Sequence, residues 1–257
     1  MVKLPISAEL SIVIKPYDID LNQVKANKPH MNQAPGQTPK DIATLVQRSR
    51  EMAGQTLGDL ARLLGIPVPT DLKRDKGWQG QLIEHHLGAS ASTLAAPDFM
   101  ELGVELKTLP LDREGHPKES TYVCTVPLDK THDISWETSW LKNKLNHVLW
   151  VPIEADPDIP VAQRTIGNAI LWQPTTEQQQ VLRQDWEELM DMVCLGQLEQ
   201  ITSHHGRYLQ IRPKAANAKA LCPATDSEGN RIMTLPRGFY LRTAFTRQIL
   251  NQHYALG

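Results

Sequence analysis

The stretch that most constrains the fold is 103–109, Gly-Val-Glu-Leu-Lys-Thr-Leu. Its apolar and charged residues alternate with a period of two, the mark of a β-strand with two unlike faces. Val104 and Leu106 fall on one face, which can be buried. Glu105 and Lys107 fall side by side on the other. Further strand-like runs occupy 121–126, 148–153, 166–172 and 208–211. Helical signals begin at Thr38-Pro39, a capping residue followed by proline at the first helical position, with Ile42, Leu45 and Val46 as the apolar stripe. Thr56 can cap a second helix carrying Leu57, Leu60, Leu63 and Leu64, closed by Gly65. A third helix follows Gly77-Trp78, a long one runs over 176–195 up to Gly196, and a last one covers 243–253. Helices lead, strands dominate the middle and helices return. That order predicts a mixed α/β fold, a central mixed sheet flanked by helices and not a repeated βαβ unit.

The chain of 257 residues is long enough to bury a real core, and 40% hydrophobic with 22% charged residues reads as soluble and globular. No apolar run reaches the length of a membrane span, and no small-residue cleavage site follows 6–14, so no secretory signal is expected. Cys124, Cys194 and Cys222 form no Cys-x-x-Cys pair, and their odd number is no disulfide framework. They read as reduced thiols of a cytoplasmic protein. Residues 1–36, with Pro5, Pro16, Pro29 and Pro35 and a polar run over 27–37, read as an N-terminal extension, with Met31 as an alternative start. The remainder, 37–257, reads as one domain.

The net charge of −2 speaks against a nucleic-acid binder, but the charge is segregated. From Gln200 onward there are eight basic residues (Arg207, Arg212, Lys214, Lys219, Arg231, Arg237, Arg242 and Arg247) against two acidic ones, Asp226 and Glu228. Just upstream, Glu177, Asp185, Glu187, Glu188 and Asp191 crowd one helical segment. A basic stretch releases counterions from phosphate, which fits a polyanion partner. It fits a solvated basic face equally well.

Asp98 lies seven residues before Glu105, and Gly103 offers a bend that can return Asp98 beside Glu105 on a neighbouring strand. Two carboxylates converging at a strand end make the hard oxygen site that Mg²⁺ prefers. An adjacent ammonium can orient or help deprotonate an attacking water and offset charge on a phosphorus centre. The competing reading is a solvated, cross-paired strand face, which such short motifs usually mean. On a helical wheel over 78–87, Glu84 falls roughly 240° around from Trp78, off the apolar half. It either faces solvent or projects over the sheet end as a further carboxylate. His85 and His86 lack a third ligand for zinc.

Several blocks closely resemble the MutH family of methyl-directed mismatch-repair endonucleases. They are Lys73-Arg-Asp-Lys-Gly-Trp78, Glu84-His-His-Leu-Gly-Ala-Ser90, Gly103-Val-Glu-Leu-Lys-Thr108, Trp136-Glu-Thr-Ser139, Asp185-Trp-Glu-Glu-Leu-Met-Asp-Met192, the stretch from Tyr208 through Leu221, and Leu235-Pro-Arg-Gly-Phe-Tyr-Leu241. The likeness runs from about Pro39 to near the C-terminus. It implies a restriction-endonuclease-like fold with two arms around a DNA cleft. It also implies Mg²⁺-dependent nicking of the unmethylated strand at hemimethylated GATC sites, activated by MutL after MutS finds a mismatch. The family's catalytic residues fall on Glu84, Asp98, Glu105 and Lys107, with Lys144 as a further lysine and Asp98, Glu105 and Glu84 as metal ligands.

The DNA-reading residues implied are Arg212-Pro213-Lys214, as a major-groove loop after the 208–211 strand, and Tyr240 as the sensor of the adenine methyl. Arginine or lysine to guanine is the commonest specific base contact, and N6-methylation removes a donor hydrogen and adds bulk. Read from the residues alone, Phe239 and Tyr240 fit an aromatic core just as well. Lys76 beside Gly77 suits close backbone approach to DNA. Each strand is cut separately, so a monomer suffices. A restriction endonuclease of GATC specificity would cut both strands, and a DNA-binding adaptor would cut neither.

Overall fold

The computed structural model describes residues 36–72, 75, 77–90, 95–129, 131, 134–215 and 219–254. The expected extension over 1–36 lies outside the described residues except for Gly36, whose N–H donates to the carbonyl of His86 at 3.1 Å. Lys73, Arg74 and Lys76 also lie outside them.

Three helices come first: α1 (Ile42–Glu51), α2 (Leu57–Leu64) and α3 (Trp78–Leu87). The first starts later than expected. Asp41, not Thr38, is its cap, accepting from the Thr44 N–H at 2.7 Å. Aspartate is a stronger cap than threonine. The second starts as expected: the Thr56 hydroxyl takes the Asp59 N–H, and the Asp59 carboxylate takes that of Thr56. Gly65 closes it in the left-handed region at φ 67.

Among the described residues, eight strands follow, in three sheets. β1 (Glu105–Leu111) and β3 (Val148–Glu154) pair in parallel from Glu105↔Val148 to Leu111↔Glu154, and β4 (Ile170–Trp172) joins β3 antiparallel. This mixed sheet is buried on both sides, as parallel pairs require. Leu106, Leu149, Val151 and Ile153 pack with Leu45, Leu57, Leu60, Leu82 and Ile83 from the three leading helices. Leu109, Val148 and Trp150 face a second core with the long helix α5 (Thr176–Cys194) and the last helix α6 (Thr243–Tyr254). The short helix α4 (Trp140–Leu145), capped by Ser139, joins that second side.

The second sheet is antiparallel, with β8 (Arg237–Leu241) between β2 (Thr121–Thr125) and β5 (Leu209–Pro213). A hairpin of β6 (Cys222–Thr225) and β7 (Arg231–Thr234) is inserted between β5 and β8. Arg212 and Pro213 therefore belong to a strand, not to the loop expected after Ile211. Pairing with β8 carries the ladder past them, as Arg212↔Gly238 and Pro213↔Arg237. The expected strand over 166–172 is regular only in its last three residues: Ile166 still bridges Ile153 and the Gly167 N–H donates to the Pro152 carbonyl, but the register against β3 shifts by one residue before Ile170.

One acid of the 176–195 helix is structural. Asp185 is buried, and its carboxylate accepts the N–H groups of Arg207 (2.8 Å), Tyr208 (2.5 Å) and Leu209 (2.9 Å). It fastens the start of β5 to α5, so the acidic run is not a uniformly solvated face. Replacing it with alanine strands three donors, each worth about 1–3 kcal/mol when left unpaired in the interior. Asp185→Ala is expected to lose about 3 kcal/mol or more of unfolding free energy by urea titration, and Asp185→Asn less. A loss under about 1 kcal/mol in the alanine variant would contradict this role.

Candidate active site

The site begins with the first residue of β1. Glu105 has 1% of its surface exposed, although its N–H already pairs with the His147 carbonyl at 2.9 Å. Val104 and Leu106 face the first core as the alternation predicts. The face opposite is not solvated, however: α4 and β2 cover it. A buried carboxylate needs charged partners. Lys144 on α4 donates to both oxygens, at 3.0 Å to Oε1 and 2.9 Å to Oε2. Lys107, two residues along the same strand, lies 2.5 Å from Oε1. The Lys144 ammonium also donates to the Ala96 carbonyl at 3.0 Å, linking Glu105 to the segment that carries Asp98.

Asp98 returns beside Glu105, though not on a strand. A 3₁₀ turn over Met100–Leu102 and Gly103 at φ 63 reverse the chain, and Phe99 bridges to Val104. Asp98 Oδ2 then accepts the Leu106 N–H at 2.8 Å, which fixes its carboxylate against the strand. Glu84 reaches the same place from α3, its Oε1 passing over Gly80. It faces the other two acids and not open solvent.

The electrostatics follow from this crowding. Burial, then the Glu105 charge, raises the pKa of Asp98, with Lys107 and Lys144 pulling the other way. Burial, then Asp98, raises that of Glu84. Burial opposes the charge on Lys107, but Glu105 and Asp98 outweigh it and hold the amine above its ordinary range. At neutral pH it is an ammonium. Behind the cluster, burial pushes the Cys124 thiol up to about 12, so it stays an inert packing group.

Among the described residues, no set of three or more His, Cys, Asp and Glu side chains is gathered closely enough to enclose a metal ion. The three-carboxylate ligand set expected from the sequence is thus not assembled as a cage. The donors nevertheless suit a hard divalent cation. Asp98 and Glu105 are oxygen ligands at one strand end, and Mg²⁺ commonly takes one or two carboxylates, with water and substrate phosphate completing its shell. Burial first, and neighbouring carboxylates second, raise the pKa values of Glu84 and Asp98, and a bound cation would favour their ionised forms.

The DNA-reading candidates gather elsewhere, on the outer face of the second sheet. Strand alternation parts Phe239, which is 1% exposed in the core, from Tyr240, which is half-buried on the outer face. The Arg212 guanidinium lies 5.8 Å from the Tyr240 ring centre and donates to the Ser120 hydroxyl at 2.7 Å. The Lys214 ammonium sits 4.2 Å over the ring of Tyr122, which meets Tyr240 edge-on at 5.5 Å between centroids. Tyr122 escaped the sequence reading. A bulge between Tyr122 and Cys124 buries both Val123 and Cys124, so Tyr122 and Thr125 share the outer face although three residues apart. Gly77 caps α3 at φ 92, and an added Cβ would meet nothing within 4 Å. That positive φ by itself favours glycine.

A buried acid–lysine cluster at the end of a mixed sheet, on a restriction-endonuclease-like fold, is the site of a nuclease-type hydrolase. The sequence model described as "DNA mismatch repair enzyme MutH" matches residues 87–185, a span containing Asp98, Glu105, Lys107 and Lys144. A DNA mismatch repair protein MutH of Citrobacter koseri is 54% identical over 218 residues, covering 85% of this chain and 95% of the relative. Two proteins of the same description from Escherichia coli are 52% identical over the same length and shares. The chain belongs to the MutH family and is a DNA mismatch-repair endonuclease. No helix among its described residues is long and apolar enough to cross a membrane.

The raised Glu84 pKa gives a signed prediction. A carboxyl whose folded pKa lies above its unfolded value stabilises the fold at pH below the unfolded value, and that stability is lost as pH rises through the folded pKa. At neutral pH an ionised Glu84 is therefore a burden. Glu84→Gln is expected to melt higher than the parent at pH 7 without added metal, the gain vanishing toward pH 4. A variant that melts lower at pH 7, or a gain that grows on acidification, would contradict the assignment.

Proposed function

We propose that the chain nicks the unmethylated strand of hemimethylated GATC sites, 5′ to the guanine, by Mg²⁺-dependent hydrolysis of the phosphodiester. The observation that carries this reading is the buried Glu105 carboxylate, held by Lys107 and Lys144 beside Asp98. Asp98 and Glu105 hold the metal, with Glu84 adjoining. When bound, the ion supplies Lewis-acid polarisation of the phosphate and a more acidic water.

The protein's own groups have separate tasks. Asp98 is oriented by the Leu106 N–H, so its carboxylate is fixed before substrate arrives. Lys107 is held as an ammonium, which suits it to orient the attacking water and to offset negative charge growing on the phosphoryl oxygens. Lys144 donates to both oxygens of Glu105, aims its carboxylate and acts through it.

On the second sheet, Arg212 and Lys214 contact guanine or phosphate, with Pro213 shaping the strand end. Tyr240 reads the adenine N6 edge, where a methyl group would crowd its ring. Lys76 and Gly77 contact the backbone of the duplex. A MutL-like activator couples nicking to mismatch recognition by a MutS-like sensor. The enzyme works as a cytoplasmic monomer on one strand at a time, with 37–257 as its catalytic unit.

The test is a strand-resolved cleavage assay on unmethylated, hemimethylated and fully methylated GATC duplexes, with Mg²⁺ and with EDTA. Cleavage of unmethylated strands only, abolished by EDTA, is expected. Cutting of fully methylated duplex at the same rate, or activity in EDTA, would refute the reading. Concerted double-strand breaks in unmethylated DNA at low enzyme would favour a restriction endonuclease.

A further inference from the structure

Gly238 lies at the middle of the outer face of the second sheet, between Thr125 on β2 and Arg212 on β5. Its backbone does not require glycine, since its φ lies outside the left-handed region. What it provides is space. A Cβ there would stand 2.8 Å from Tyr122 Cε2, 3.1 Å from Tyr122 Cδ2 and 3.1 Å from Tyr240 Cε2. Contacts that close do not persist, so something must move. The obstructing atoms are the edges of two half-buried tyrosine rings, which can swing, and not backbone, which cannot.

The same two rings carry the groups that read DNA in the function proposed above. Tyr122 leans on Tyr240 with an interplanar angle of 65°, and its hydroxyl lies 3.1 Å from that of Thr125. Arg212 lies over one ring and Lys214 over the other. The two rings border the gap left by the missing side chain, and the two basic side chains lie against the rings.

We propose that Gly238 is a specificity-determining residue: the space above it lets Tyr122 buttress Tyr240 at the angle with which Tyr240 detects the adenine methyl. Gly238 touches neither base nor phosphate and acts through the tyrosines. This rests on the proposed methyl-sensing role of Tyr240. A single extra carbon is discriminated by about 10- to 200-fold in a well-fitted pocket, and such a fit is lost when a wall shifts by a few tenths of an ångström.

The experiment measures, on a hemimethylated GATC duplex, the ratio of nicking of the unmethylated strand to nicking of the methylated strand. Four proteins are compared with the parent: Gly238→Ala, Tyr122→Ala, the double variant and Tyr240→Ser. Gly238→Ala is expected to melt close to the parent, because only side chains move, and to lower the ratio about tenfold. Tyr122→Ala is expected to lower it as well. In the Tyr122→Ala background, Gly238→Ala is expected to have little further effect, since the nearer ring edge is gone.

A ratio in Gly238→Ala within about twofold of the parent overturns the proposal, as does an equal fall with and without Tyr122. Should Gly238→Ala fail to fold, an unchanged ratio in Tyr122→Ala overturns it alone. If Tyr240→Ser leaves the ratio unchanged, the methyl-sensing role itself is wrong and the proposal falls with it. If Tyr240→Ser collapses the ratio and Gly238→Ala does not, only the present inference fails.

Discussion

A carboxylate with 1% of its surface exposed sets the terms for this molecule. Taking Glu105 out of water costs several kcal/mol unless opposite charge comes with it. The chain supplies two ammoniums from different elements, Lys107 from the same strand and Lys144 from a six-residue helix. Much of the local architecture follows from bringing them there. β1 must pair in parallel with β3 so that its start is buried on both faces, and α4 must lie across that end. The 3₁₀ turn over Met100–Leu102 must deliver Asp98 to the Leu106 N–H. The result is a compact set of charges with raised carboxyl pKa values, a cost in stability that a catalytic site accepts and a structural core does not.

β2 joins the candidate active site to the proposed DNA-reading face. Its inner side brings Cys124 close enough to feel the charges of Lys144, Lys107 and Glu105, and its outer side carries Tyr122 against Tyr240. The bulge between Tyr122 and Cys124 makes this double duty possible, because it resets which residues face inward. Asp185 anchors the other edge of the same sheet by taking three N–H groups at the start of β5.

The alternation of Val104, Glu105, Leu106 and Lys107 was legible because a period of two needs no tertiary information. The Thr56 cap, the Gly65 stop and the long helix up to Gly196 were legible for the same reason. What escaped depended on distant partners. Lys144 sits on a helix too short to show a period, and only the family resemblance singled it out. The β6–β7 hairpin and β8 lack strong alternation, and β8 is a strand because β2 and β5 flank it. Asp185 did not stand out among the acids of its helix, because nothing in that helix reveals the N–H groups waiting at 207–209. Tyr122 was hidden by the bulge. Glu84 was ambiguous on its helix until the fold placed Asp98 and Lys107 opposite it.

The most direct test of the central claim, that the buried acid–lysine cluster is the hydrolytic centre, is a paired measurement on Lys107→Met. Single-turnover nicking of a hemimethylated GATC duplex and equilibrium binding to the same duplex are compared with the parent. Methionine keeps most of the apolar stem and removes the ammonium with its hydrogen bond to Glu105. The expected result is a fall in nicking of about a hundred- to a thousandfold, with DNA affinity close to the parent's, in a protein that still folds but melts lower because buried Glu105 keeps only Lys144 as a charged partner. Nicking that stays within a few-fold of the parent's, by a folded protein that binds DNA normally, would show that the bond is broken elsewhere.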